Sequence, residues 1–174
     1  STCTLKVMAA RKGWENSSIG TYALMHAGII PLHAALLHPP DSAYMAHLDT
    51  SLTDLQIGSD ASDGKFLGFH GTDLQATFDL GQRKALSSVS VGYFENMPAY
   101  IMRPTEVEIW GGKDKSSFSK IGSVSISPAD SMLRGSDRKY ITVPLRHPSV
   151  QNVKVVVKCL SALPKWNPGK GQKA

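Results

Sequence analysis

Hydrophobic and polar residues alternate one for one along most of this chain. In "LQATFDL", Leu74, Ala76, Phe78 and Leu80 fall on one side, and Gln75, Thr77 and Asp79 on the other. The same period runs through "TLKVMAA" (Leu5, Val7, Ala9), "KALSSVSVGY" (Val89, Val91, Tyr93) and "TEVEIW" (Val107, Ile109). It returns in "YITVPL" (Ile141, Val143, Leu145) and in "NVKVVVKCL" (Val153, Val155, Val157, Cys159). A period of two marks strands with one face on a core and one on water. Val156 and Leu160 make the last segment apolar on both faces near its end, which predicts a more central strand. Between the strands lie the turn-rich stretches "PPDS", "GSDASDG", "LGQ", "ENMP", "WGGKDKSS", "SPAD" and "RHPS". Short strands with turns at this spacing predict an all-β chain, an antiparallel β-sandwich with little helix.

Helical signal is confined to two places. "SPADSMLRGSD" has the features of a single turn, with Pro128 in the first-turn position and Gly135 as a stop. "DSAYMAHLDTSLTD" holds another short turn. Residues 1–30 read differently from the rest, as two strands joined by a turn around Gly13–Ser17, followed by the Pro-bounded connector "IIPLHAALLHPP". A lone hairpin cannot bury its apolar face. The expectation is a division into a terminal hairpin of a preceding module, 1–30, and a sandwich, 31–174. Just before the most regular strand, the elbow "FLGFHG" gathers Phe66, Phe69 and His70; the two phenylalanines, beside glycines, read as the packing of a bend.

Composition narrows the choice of function. The 174 residues suffice for one well-cored domain plus a remainder, and 41% hydrophobic with 19% charged residues fits a globular protein. No apolar run approaches the ~20 residues that span a bilayer, so no membrane span is expected. The net charge of +5 raises the question of nucleic acid. However, Lys165, Lys170 and Lys173 sit in a Pro/Gly-broken tail, and the other cations are scattered among acids. No basic-aromatic recognition motif accompanies them, so no nucleic-acid partner is expected.

Catalytic chemistry finds little support. No nucleophile elbow is present, and Glu106 and Glu108 share the outer face of one strand. The six histidines (His26, His33, His38, His47, His70, His147) lack zinc-type spacing. An enzyme is therefore not expected in this chain. Cys3 and Cys159 are far apart in sequence; Cys159 reads as a buried free thiol, and a disulfide between the two stays open. No cofactor is expected beyond one open question. Asp54, Asp60 and Asp63 share a Gly-bearing loop, where they either hold a structural calcium ion or cap their own turns.

In order, "SLTDLQIGSDASDGKF", "FLGFHGTDLQATFDLG", "ENMPAYIMRPTEVEIW" and "VKVVVKCL" resemble the discoidin-like, galactose-binding-type jelly roll. This is the coagulation-factor C-terminal domain family, which includes many bacterial carbohydrate-binding modules. The resemblance runs over residues 36–174. "LPKWNPGKGQKA" looks like the closing loop of versions from gut-type bacteria, and "TLKVMAARKGWENSSIGTYAL" resembles the last two strands of the immunoglobulin-like module of chitobiase-like and hexosaminidase-like proteins. The likeness implies a C-terminal accessory module of a larger exported bacterial protein that is periplasmic, cell-surface or secreted. Its partner is then a glycan or, if it is a structural docking module, a neighbouring domain. Two features depart from the family: Leu55 follows Asp54 where glycine is usual, and no closing apolar strand with Asp-Glu occurs before Ala174. The second implies an open sheet edge or a further strand outside this sequence.

A sugar presents an apolar C–H face and a rim of hydroxyls, so its site wants an exposed ring ringed by polar groups. By the resemblance, the ligand end is built from "HGTD", "ENMPAYIMR" and "LPKWNPGK". The candidates there are Trp166 and Tyr100 as stacking platforms and Asn96, Arg103 and His70 as hydroxyl partners. Each has another reading. Trp166 pins the tail, Tyr100 covers the sheet, or Arg103 holds a loop by bonding carbonyls.

Overall fold

The computed structural model describes residues 2–25, 28–133 and 135–173; His26 lies outside them. The chain divides into two compact units, Ser1–Ile30 and Pro31–Ala174. In the first, β1 (Thr2–Val7) pairs antiparallel with β2 (Gly20–Met25). Gly13 takes a positive φ of 83° in the connecting turn, and the Arg11 guanidinium lies over the Trp14 ring. The hairpin leaves Leu5, Val7, Ile19 and Tyr22 exposed, as two strands alone must.

The second unit is an antiparallel sandwich, as the alternation predicts. Its larger sheet runs in the order β3 (His33–Leu36), β4 (Leu74–Ala85), β9 (Ser149–Lys158), β6 (Glu106–Gly112), β7 (Phe118–Ser125). The smaller pairs β5 (Ser88–Glu95) with β8 (Asp137–Pro144). Register turns the sequence period into a core. Leu74, Ala76 and Phe78 lie opposite Val157, Val155 and Val153, and those valines lie opposite Val107, Ile109 and Gly111 of β6. Val89 and Val91 face Val143 and Ile141 across the smaller sheet. These rows meet in one cluster in which Val107, Ile109 and Val143 are wholly buried.

Strand β9 is central, flanked by β4 and β6. This explains its apolar second face: Val156 is buried between Gln75 and Glu108 of the neighbouring strands.

Three local expectations need correction. "LGQ" is not a turn between strands: β4 continues through it with a register shift between Asp79 and Lys84. Gly81, at φ 74°, makes the kink, and the Asp79 carboxylate accepts its N–H at 2.8 Å. The connector "IIPLHAALLHPP" contains the edge strand β3, held by main-chain pairing to β4 rather than by its own pattern. "SPADSMLRGSD" forms no helical turn among its described residues. The Leu133 N–H is taken by the Met97 sulfur and the Ala129 carbonyl by Trp166. The other expected turn is present as two short 3-10 segments, Ser42–Tyr44 and Leu48–Leu52.

Candidate functional site

At the end of the sandwich where β5 stops and β4 begins, three segments enclose a cavity of about 330 Å³. The elbow 66–70 forms one wall, residues 99–104 a second, and Cys159 and Leu160, just past β9, a third. Its floor is the open end of the core: Leu74, Val91 and Val157. This volume is at the small end of the range for small-molecule sites, roughly 300–1,000 Å³.

The second wall is built around a strained tyrosine. After β5, Asn96 caps a 3-10 turn over Met97–Ala99, its side chain accepting the Ala99 N–H. The turn ends with Tyr100 in the left-handed region, φ 63° and ψ 15°. For a residue with a Cβ this costs about 1–2 kcal/mol. The surroundings impose it: Asn96 and Ile101 exchange both main-chain hydrogen bonds, at 2.9 and 3.0 Å, and Met97 is wholly buried beneath. Tyr100 itself stays 48% exposed at the cavity. Ala46, Leu48, Leu55 and His147 also have positive φ, so what distinguishes Tyr100 is its exposed place at the cavity.

Arg103 is fixed from the other side. Its Nε donates to Glu95 Oε1 at 2.6 Å, while Lys139 Nζ donates to Glu95 Oε2 at 2.5 Å. Glu95 is buried at 4% exposure. Burial works to raise its carboxyl, but the bonds from Arg103 and Lys139 outweigh that and hold it below the ordinary range. The same carboxylate raises Arg103 and Lys139. Tyr93 is raised by burial and then by Glu95, and the Cys159 thiol by burial and then by Asp73, so that thiol is a poor nucleophile at neutral pH.

The structure brings His70, Tyr100 and Arg103 to one cavity. His70 Nε2 lies 3.3 Å from the Lys173 carbonyl oxygen, tying the tail to the elbow. Asn96 shapes the turn without lining the cavity, and Trp166 lies outside it, half-buried, donating its indole N–H to the Ala129 carbonyl at 2.8 Å. Phe66 and Phe69 do more than fill a bend. Phe66 packs on Phe94, ring centroids 5.5 Å apart, and both elbow rings line the cavity. Gly58 permits this, because a Cβ there would lie 2.2 Å from the Phe66 ring. Sequence reading missed Glu95 and Cys159 as parts of the wall and its support; a lone acid ending an apolar strand was the available signal for the first.

The carboxylates of the aspartate loop bond their own turns. Asp54 accepts the Gln56 N–H, Asp60 takes both the N–H and the hydroxyl of Ser62, and Asp63 takes N–H groups of Ser59, Asp60 and Lys65. These are turn-capping bonds. Among the described residues no three His, Cys, Asp or Glu side chains gather as a metal ion needs. Leu55, standing where the resembled family has glycine, adopts φ 59°.

A second aromatic surface covers the outer face of the larger sheet. Lys154 Nζ lies 4.7 Å from the Trp110 ring centre and 5.4 Å from that of Phe118, and the indole N–H donates to Glu108 at 3.0 Å. Glu108 also accepts from Lys120 at 2.7 Å, so it is paired, not simply solvated.

The fold defines a class: a two-sheet antiparallel β-sandwich, here with a cavity at its loop end. No protein-family model matches the chain, and no curated protein matches it. Two solved structures are among those that match the chain. One is the C-terminal domain of a chitobiase from Bacteroides fragilis: 13% identity, TM-score 0.48, covering 84% of this chain and 90% of that one. The other is CBM32-3 from a family 31 glycoside hydrolase of Clostridium perfringens: 12% identity, TM-score 0.38, covering 73% and 76%. Among the described residues no helix is long and apolar enough to cross a membrane.

Proposed function

We propose that residues 31–174 are a non-catalytic, discoidin-type binding module that recognises a glycan at the loop-end cavity. One observation carries the reading. Tyr100 is held exposed in a strained backbone conformation at a cavity it shares with His70 and Arg103. The ring supplies the apolar face that a pyranose stacks on, and Arg103 and His70 supply polar partners at the wall. Among the described lining residues the Cys159 thiol is raised by burial and the Asp41 carboxylate accepts the Ala43 N–H, while the Glu95 carboxylate behind the wall is held by two cations. This chemistry suits binding better than bond cleavage.

The assignment to an accessory part of a larger exported bacterial protein is supported by the sequence resemblance of the hairpin and the sandwich. The exposed face of the hairpin with Leu5, Val7 and Tyr22 favours a second role for that unit, docking against a neighbouring module. A glycan array followed by calorimetric titration tests the main reading. The expected result is weak binding to at least one glycan. A folded chain that binds none would overturn it.

A further inference from the structure

The cavity wall is unevenly polar. Its lining includes Leu74, Val91, Phe94, Val157, Leu160 and Phe66, none of which offers a side-chain hydrogen bond, with the Tyr93 ring beside Val91. Some of the polar atoms around it are already engaged, which leaves the other nitrogens of Arg103 and His70 and the Tyr100 hydroxyl for a sugar. Arg103 Nε bonds Glu95, the Asp41 carboxylate accepts the Ala43 N–H at 2.9 Å, and His70 Nε2 faces the Lys173 carbonyl. A bare pyranose pushed inward would exchange water for hydrocarbon at most of its hydroxyls, and unpaired polar groups are costly to bury. Apolar cavities, by contrast, stay dry and accept rings such as benzene at about 150 Å³. A cavity of about 330 Å³ has room for such a ring.

We infer that the cavity takes the apolar group of an amphipathic glycoside, an aryl or short acyl substituent, with the sugar outside it against Tyr100. This rests on the glycan reading above for the sugar half, while the apolar half rests on the cavity alone. The ligand class is then a glycoconjugate with a hydrophobic aglycone rather than a plain saccharide. Phe66 and Phe94 would meet the buried group edge-on or offset, in the tilted manner in which they meet each other, at 48° between planes.

Met102 lines the cavity and Met8 is exposed on the hairpin, so methionine methyl groups report on both places in one sample. The full chain, labelled with ¹³C at methionine methyls, is titrated with phenyl and methyl β-glycosides of galactose and of N-acetylglucosamine, and with benzyl alcohol. The expected result is a ring-current shift of Met102, none of Met8, and a midpoint for a phenyl glycoside at least tenfold below its methyl counterpart. Alkylation of Cys159 by N-ethylmaleimide should slow under the same phenyl glycoside, with exposed Cys3 as the unaffected control. Equal midpoints for phenyl and methyl glycosides would overturn the inference and leave the glycan reading standing. A Met102 shift with benzyl alcohol but with no glycoside, or no shift with any probe, would overturn the inference, while the glycan reading stands or falls on the array.

Discussion

Tyr100 and Trp110 are both large aromatic side chains on the surface of one sandwich, and their situations are opposite. Trp110 has its ring face under Lys154, its N–H on Glu108 and its strand in regular register with β9, although the pairing with β7 shifts between Ile109 and Trp110. Tyr100 is 48% exposed, stands on a left-handed backbone and borders a cavity. The first is a completed surface, in which cation and carboxylate close over the ring. The second is an uncompleted one, held open by the turn beneath it. An aromatic near the surface is therefore informative about binding only when its face has not been taken by the protein itself. Trp166, with its N–H on Ala129, stands nearer to Trp110 in this respect.

The comparison breaks most forcefully at the support of Tyr100. Met97→Ala removes the wholly buried side chain under the turn and should cost about 3 kcal/mol in denaturant unfolding. A loss below about 1 kcal/mol would mean the turn is not anchored there. Next comes the Glu95 clamp. Glu95→Gln should cost about 2 kcal/mol at neutral pH, below the usual about 3–5 for a buried pair, because Arg103 and Lys139 are 21% and 37% exposed at their side chains. Its pH dependence has a definite sign. The folded carboxyl is depressed, so its contribution is full above the unfolded value near about 4.3 and is lost as pH falls through the folded value. Wild-type stability should drop over that acidic window more steeply than that of the variant, as thermal melts at a series of pH values would record. Trp110→Leu has the smallest effect, about 1 kcal/mol for two surface cation–π contacts, with glycan binding unchanged.

Much of the fold was legible because burial writes itself into period two. The rows Leu74/Ala76/Phe78, Val107/Ile109 and Val153/Val155/Val157 occupy one core, and the doubly apolar end of β9 marked it as central. The exceptions were places where main-chain bonding decides. Strand β3 exists because β4 offers it an edge, and "LGQ" stays in β4 because Gly81 can bulge. The candidate site was legible in residue type and not in arrangement. His70, Tyr100 and Arg103 converge, but nothing local to "FLGFHG" tells that its rings enclose a space. Nor does "ENMPAY" reveal that Tyr100 is forced to positive φ by Asn96 and Ile101 pairing across the turn. The first depends on contacts between segments far apart in the chain, and the second on a local main-chain bridge, neither of which periodicity encodes.

The central claim is that Tyr100 is kept strained and exposed for a ligand. Tyr100→Gly separates strain from use, because glycine accepts the left-handed backbone. The decisive measurement is calorimetric titration of wild type, Tyr100→Gly and Trp110→Leu with the best array glycan, alongside their unfolding free energies. The account predicts at least a tenfold loss of affinity for Tyr100→Gly with stability equal to wild type or about 0.5 kcal/mol higher, and unchanged affinity for Trp110→Leu. Full affinity in Tyr100→Gly, or an equal loss in both variants, would contradict it.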